Sequence, residues 1–448
     1  MMTKDAYIAA NRFGLGASAS EMKIIDRAPK DWLRKQVSQS TANSELSNIS
    51  SGLKSTVDII TASGDLRNLD NDAKKKLVKQ SRDIYLQEMQ NRVTNAVVTD
   101  APFVERLALF WSNHFTVSIR GKPFLTSIAG SYEREAIRPH IFGKFSDMLL
   151  AVVQHPSMLT YLDNKSSVGP ASKLGQRRDK GLNENLAREI LELHTLGVNG
   201  GYTQDDVISL AKIITGWTIK PPKMPGDAGF WYFSRMHEPG AHRLLGKSYS
   251  EKGQKQGIEA LTDLAHHPST ARFIATKLVR HFVSDDPPAQ AVKAIERVFI
   301  QSGGDLKAVS LALIELPQIW QRPLSKFKTP YEFVISSLRL FDAGKNDVDL
   351  DKIIKSLTLL DHAPYTALSP AGWDDSEDAW LSPNALMNRV EWCHAVAQSV
   401  DYPGNPLELA QNTIGPVANA DTLLWISRAP SGRDGVGLLL ASPAFQRR

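Results

Sequence analysis

The sequence predicts a mainly α-helical fold, a large single-domain helical array with a few short β pieces. Three observations predict it. Apolar residues recur at three- and four-residue spacing in one stretch after another, as with Met22, Ile25, Trp32, Leu33 and Val37 in 20–37. Proline stands where the first helical position tolerates it, at Pro102 and Pro330. Strand-like alternation is confined to short pieces such as 229–234.

The elements follow in chain order. After the helical spacing of 20–37, the stretch 40–71 is rich in Ser, Asn and Asp and reads as a loop or an insertion. A helix follows over 72–98, basic at its start through Lys74, Lys75, Lys76, Lys79 and Arg82; a solvated face explains that cluster, and an anionic partner is the alternative. Pro102 opens a helix carrying Phe103, Leu107, Phe110, Trp111 and Phe115. Residues 165–172 read as a loop, and 176–180 add Arg177, Arg178 and Lys180. Residues 183–218 read as a helical hairpin, with a loop after it at 220–229 containing Pro221, Pro222, Pro225 and Gly226. Three helices are expected over 256–316, one over 330–340 and one over 382–400. No repeat of fixed period occurs, and no linker is long enough to force a boundary, so 1–448 is read as one domain.

Composition narrows the function classes. With 53 Lys and Arg against 48 Asp and Glu, the net charge of +5 is too small and too dispersed to signal a nucleic-acid protein. The one cysteine, Cys393, excludes an internal disulfide and a Cys-rich zinc module. No apolar run approaches a spanning helix. The start of the chain has no secretory pattern, so the expected compartment is the cytoplasm, an exported mature form being the alternative.

The hairpin reads NENLAREILELHTLGVNGGYTQDDVISLAKIITGWT. Stepped at helical pitch, Glu184, Arg188, Glu192, Asn185 and Glu189 fall within about 140° of arc, opposite Leu186, Ala187, Ile190, Leu191, Leu193 and His194. Arg188 lies four residues from both Glu184 and Glu192 and can bridge them. The helix is expected to stop near 198–201, and Thr203 with Asp206 resembles a capping box that opens the next helix. Such carboxylates suit proton transfer or a hard cation. His194 projects too far from them to share an ion, and the Glu-x-x-His pair of helical di-iron sites is missing because Leu191 stands in its place. A salt-bridged face with a histidine packed in the core describes the same pattern.

Beyond this hairpin the chain resembles the bacterial family catalogued as domain of unknown function 1800. The likeness runs in order through Asn11-Arg12-Phe13-Gly14-Leu15-Gly16, Phe110-Trp111-Ser112-Asn113-His114-Phe115, and the run from His155 to Asn164. It continues through the hairpin, His237-Glu238-Pro239-Gly240, Pro268-Ser269-Thr270-Ala271-Arg272-Phe273, Lys328-Thr329-Pro330-Tyr331-Glu332-Phe333, and Ser369-Pro370-Ala371-Gly372-Trp373. The resemblance implies a helical fold and no settled activity, with many relatives exported.

These strings add His114, Asp163 and His237 to the candidates. Each has a plain alternative: a packed or capping histidine, turn chemistry, a loop contact. The acidic aromatic loop with Asp374, Asp375, Glu377, Asp378 and Trp380 suits sugar rings or cations, or a solvated lid. No Gly-x-Ser-x-Gly elbow, His-Glu-x-x-His pair or phosphate-binding glycine loop occurs. No pattern names a cofactor. The expectation is an enzyme with a buried Glu/Arg/His site; hydrolysis or modification of a polar polymer is what the resemblance, through its many exported relatives, implies. Glu184 or Glu189 would be the general acid or base and Arg188 would orient them or bind an anion, with His114, Asp163, His194 and His237 in support. The alternatives are a non-catalytic scaffold or binding module and, third, a metal-dependent enzyme.

Overall fold

Small polar residues and prolines set most of the helix starts. Ser18, Ser55, Thr203 and Thr329 each close a capping box with the acidic residue three positions on, and Pro29, Pro102, Pro268 and Pro330 each open a helix. The computed structural model describes every residue except 1, 65–69, 178–180, 223, 225–226, 345–347 and 401. Arg178, Lys180, Pro225 and Gly226, read above as loop residues, lie outside the described residues.

The described chain is a mainly helical single body. One apolar cluster runs from Ala6 to Phe445, and the Tyr7 hydroxyl donates to the Ala444 carbonyl at 2.7 Å. Three helices position the site, α1 (Pro102–His114), α3 (Pro268–Phe282) and α4 (Pro330–Leu340), and α2 (Asn185–Glu189) carries the expected acidic face. The long helix Asn71–Val98, about 42 Å by its rise per residue, packs against Pro123–Tyr132 and α4. Two small antiparallel sheets complete the fold: β1 (Trp217–Ile219) with β2 (Phe230–Tyr232), and β3 (His242–Leu244) with β4 (Lys247–Tyr249). Among the described residues no helix is long and apolar enough to cross a membrane.

Local readings change in four places. The helix spacing of 20–37 belongs to two helices, Ala19–Ile25 and Pro29–Gln36, because proline lacks the amide hydrogen that would continue the first. The stretch 40–71, expected as a loop or insertion, carries the helices Gln39–Ser50 and Thr56–Ser63. Ser38 and Ser55 cap them, and Ile49, Ile59 and Ile60 are buried. Residues 254–315 hold four helices, where three were expected. Finally, α2 runs into a π turn, Ile190–His194, so the helical pitch used to project that face fails after Glu189.

Candidate functional site

A cleft of about 500 Å³ opens between the C-terminal ends of α1 and α3, the first turn of α4 and residues 362–375. The loop is fixed by a close backbone approach. Gly372 has φ +83°, and a Cβ there would lie 2.5 Å from the Asn113 carbonyl oxygen. Only glycine meets both conditions at little cost. The Asn113 side chain then donates to the Trp373 carbonyl at 2.8 Å and accepts from the Trp373 amide at 2.7 Å. Two sequence strings far apart in the chain thereby share one wall.

A buried ionic cluster underlies the cleft. Glu332 accepts from the Thr329 amide at 2.9 Å, from Arg448 at 2.9 Å and from Arg106. Burial alone would raise its carboxyl, but Arg106 and Arg448 hold it well below the usual carboxylate range. Asp375 lies 3.0 Å from His281 Nδ1, 3.7 Å from Arg448 and 3.8 Å from Lys326. Burial works against its charge too, yet His281 and Lys326 keep it ionised below the ordinary range. His281 itself is pushed down to about 4 by burial, with Asp375 opposing. Its neutral ring donates from Nδ1 to Asp375 and accepts at Nε2 from Arg106 at 3.4 Å, because arginine can only donate.

Behind this cluster, Glu133 accepts from Arg92 at 3.0 Å, Arg138 at 2.8 Å, the Tyr365 hydroxyl at 2.9 Å and the Ser112 hydroxyl at 3.0 Å. Arg138 also makes a two-pronged pair with Glu105 at 2.5 and 2.9 Å. The Arg92 guanidinium lies 5.0 Å and 5.3 Å from the Tyr331 and Tyr365 ring centres, so these charges hold the aromatic wall in place.

Lys277 and Arg280 differ from these groups. Both line the cleft, and neither has an ion-pair or hydrogen-bond partner among the described residues. Lys277 lies 5.7 Å over the Phe273 ring. Burial pushes its amine down to about 8; Asp375 opposes that fall and Arg280 adds to it.

The expected site residues are dispersed. Of the seven, His114 alone lines the cleft. Its Nε2 donates to the His194 carbonyl at 3.1 Å, which leaves the lone pair on Nδ1, an atom with no hydrogen bond inside the protein. His194 is buried 6.3 Å from it, ring centre to ring centre, with neither ring nitrogen hydrogen-bonded. Burial lowers both rings, His194 to about 3, so both are uncharged. Glu184 pairs with Arg188 at 3.1 Å, and Gln204 bonds both, with these side chains a third or more exposed. Glu189 is half-buried, and its carboxyl is raised by burial and then by Glu192. Asp163 pairs with Lys122 at 2.8 Å on a half-exposed edge, in the left-handed conformation of a turn residue. His237 donates from Nδ1 to the Thr215 carbonyl, 3.0 Å away, beside Tyr232. The buried Glu/Arg/His network therefore exists, but it is built from Arg106, Glu332, Arg448 and His281, not from the α2 face.

Sequence reasoning missed Lys277, Arg280, His281 and Glu332 as site residues, and it read Asp375 within a loop suited to sugar rings or cations, or a solvated lid. The available signal was the set of strings itself, since those around His114, Phe273, Tyr331 and Trp373 all reach this cleft. Among the described residues no group of three or more His, Cys, Asp or Glu is placed to hold a metal ion. In comparisons, the model of a family described as a protein of unknown function (DUF1800) matches residues 8–447. No curated protein and no solved structure matches the chain.

Proposed function

Because the chain belongs to the DUF1800 family, whose description leaves activity open, we propose from the cleft alone that it is an enzyme working by proton transfer, with Lys277 as general acid. The observation that carries this reading is an unpaired lysine amine in a walled cleft whose carboxylates Glu332 and Asp375 already have cationic partners. With its amine near 8, Lys277 is protonated at neutral pH and still able to release that proton to a leaving group. Hydrolysis or modification of a polar polymer is one class of reaction that such a donor can serve. His114 ties α1 to the His194 carbonyl and so positions the wall. Glu189 is the one residue of the expected acidic face whose environment also favours acid–base work, whereas Glu184, Arg188, Asp163 and His237 have no part in this reading.

The test is a panel of ester, phosphoester, glycoside and amide substrates, run on wild type, Lys277→Gln and Glu189→Gln. Circular dichroism and melting establish that each variant folds. Lys277→Gln is expected to lower any turnover found by about 10²-fold or more, with melting unchanged and Glu189→Gln near wild type. Unchanged turnover in Lys277→Gln removes the assignment. Turnover lost in Glu189→Gln alone moves the acid to the α2 face, and ligand binding without turnover favours the binding-module reading.

A further inference from the structure

The inventory of charge in the cleft is lopsided. Glu332 is paired with Arg106 and Arg448, and Asp375 with Lys326 and Arg448 while the neutral His281 ring donates to it. Arg92 is spent on Glu133. Asp374 stands at the exposed rim, where its carboxylate accepts from the Ser376 amide at 2.8 Å and hydroxyl at 2.7 Å. Lys277 and Arg280 remain, both cations, both on α3 and three residues apart, so their side chains leave neighbouring points of one helix face. An unpaired cation in a partly buried cleft is costly unless an anion meets it, and a lysine beside an arginine suits an oxyanion: a compact charge next to a planar fork of donors.

We infer that the cleft takes a ligand bearing an oxyanion, a carboxylate or a phosphate, which Arg280 and Lys277 hold against the α3 side of the site. The opposite wall is aromatic. Trp373 and His362 meet edge to face with ring centres 4.7 Å apart, and His362 lies 5.0 Å from Trp380. His362 accepts from the Tyr331 amide at 3.2 Å, which fixes the ring. The ligand is therefore an anion joined to a body that packs on rings, lying across the cleft from α3 to the 362–375 loop. This deepens the proposed function and rests on the same cleft.

Binding of inorganic phosphate and of malonate to the full chain separates the two oxyanion sources. Calorimetry and melting are run at constant ionic strength, with chloride as reference. One of the two anions is expected to bind and raise the melting temperature. Arg280→Gln and Lys277→Gln are each expected to weaken that binding by about tenfold. Arg272→Gln, exposed on the same helix outside the cleft, serves as the control and is expected to leave it unchanged. Binding of neither anion overturns the inference, as does binding that all three variants leave intact. If Lys277→Gln abolishes turnover while no oxyanion binds, the enzyme reading stands and this one fails; saturable binding without turnover gives the reverse.

Discussion

Gly372 carries two demands at one backbone position, a positive φ and a neighbour too close for a side chain. Gly372→Ala is expected to cost about 1–3 kcal/mol of stability through strain, and more if the Asn113–Trp373 pair opens. Gly52→Ala makes the comparison: φ there is +73° with nothing within 4 Å of a new Cβ, so it should cost only the strain. Denaturant midpoints of the two variants check this, and equal losses would mean that the contact with Asn113 is dispensable. Both partners were legible as members of quoted strings, Asn113 beside His114 and Gly372 beside Trp373. What the sequence could not show is that Asn113 meets this loop, bonding Trp373 across 260 positions. Lys277 was illegible for a related reason. Its helix PSTARFIATKLVRHF is ordinary and amphipathic, and what singles out the amine is the company of α1 and the 362–375 loop.

At the level of elements, caps were readable and twist was not. Thr203 and Asp206 were expected as a box, and the Thr203 amide donates to Asp206 at 2.9 Å while the Asp206 amide donates back to the Thr203 hydroxyl at 3.3 Å. Thr203→Ala should therefore cost about 1 kcal/mol and leave oxyanion binding untouched, since the helix Gln204–Ile213 lines no part of the cleft. A loss of binding in that variant, by calorimetry, would mean that the hairpin and the cleft are coupled. The π turn at Ile190–His194 was hidden because a side-chain pattern stepped at constant pitch cannot register one wider turn. It carries the chain past Glu192 to His194, whose carbonyl receives the His114 bond. The helices in 40–71 were hidden by composition. Their Ser, Asn and Asp residues supply caps and a solvated face, so few apolar residues are left to mark the period.

Across the whole molecule the buried histidines and the carboxylates of the cleft cluster and of Glu133 share one direction of response to acid, opposed by carboxyls such as Glu45 and Glu88 that burial raises. His281 is held at about 4 and His194 and His362 at about 3 by burial, all below the ordinary histidine value of 6.5. As pH falls through 6.5 the unfolded chain takes up protons that the folded chain refuses, so stability falls. The carboxylates act next. Burial opposes the charge of Glu133, but Arg92 and Arg138 hold it down to about 2, so its contribution is complete above the unfolded value of 4.5 and is lost towards 2. That loss is about 3 kcal/mol at most, and Glu332 and Asp375 add to it with the same sign. The denaturant midpoint is therefore expected to decline below pH 6.5 and to steepen below 4.5. Glu133→Gln should be less stable at neutral pH by about 3–5 kcal/mol, because Arg92 and Arg138 keep their buried charge without it, and its profile should be flatter between 4.5 and 2. A wild-type profile level from pH 7 to 4 would mean that the buried histidines do titrate in the folded state, and would remove the desolvated interior on which both the Lys277 acid and the oxyanion cleft depend.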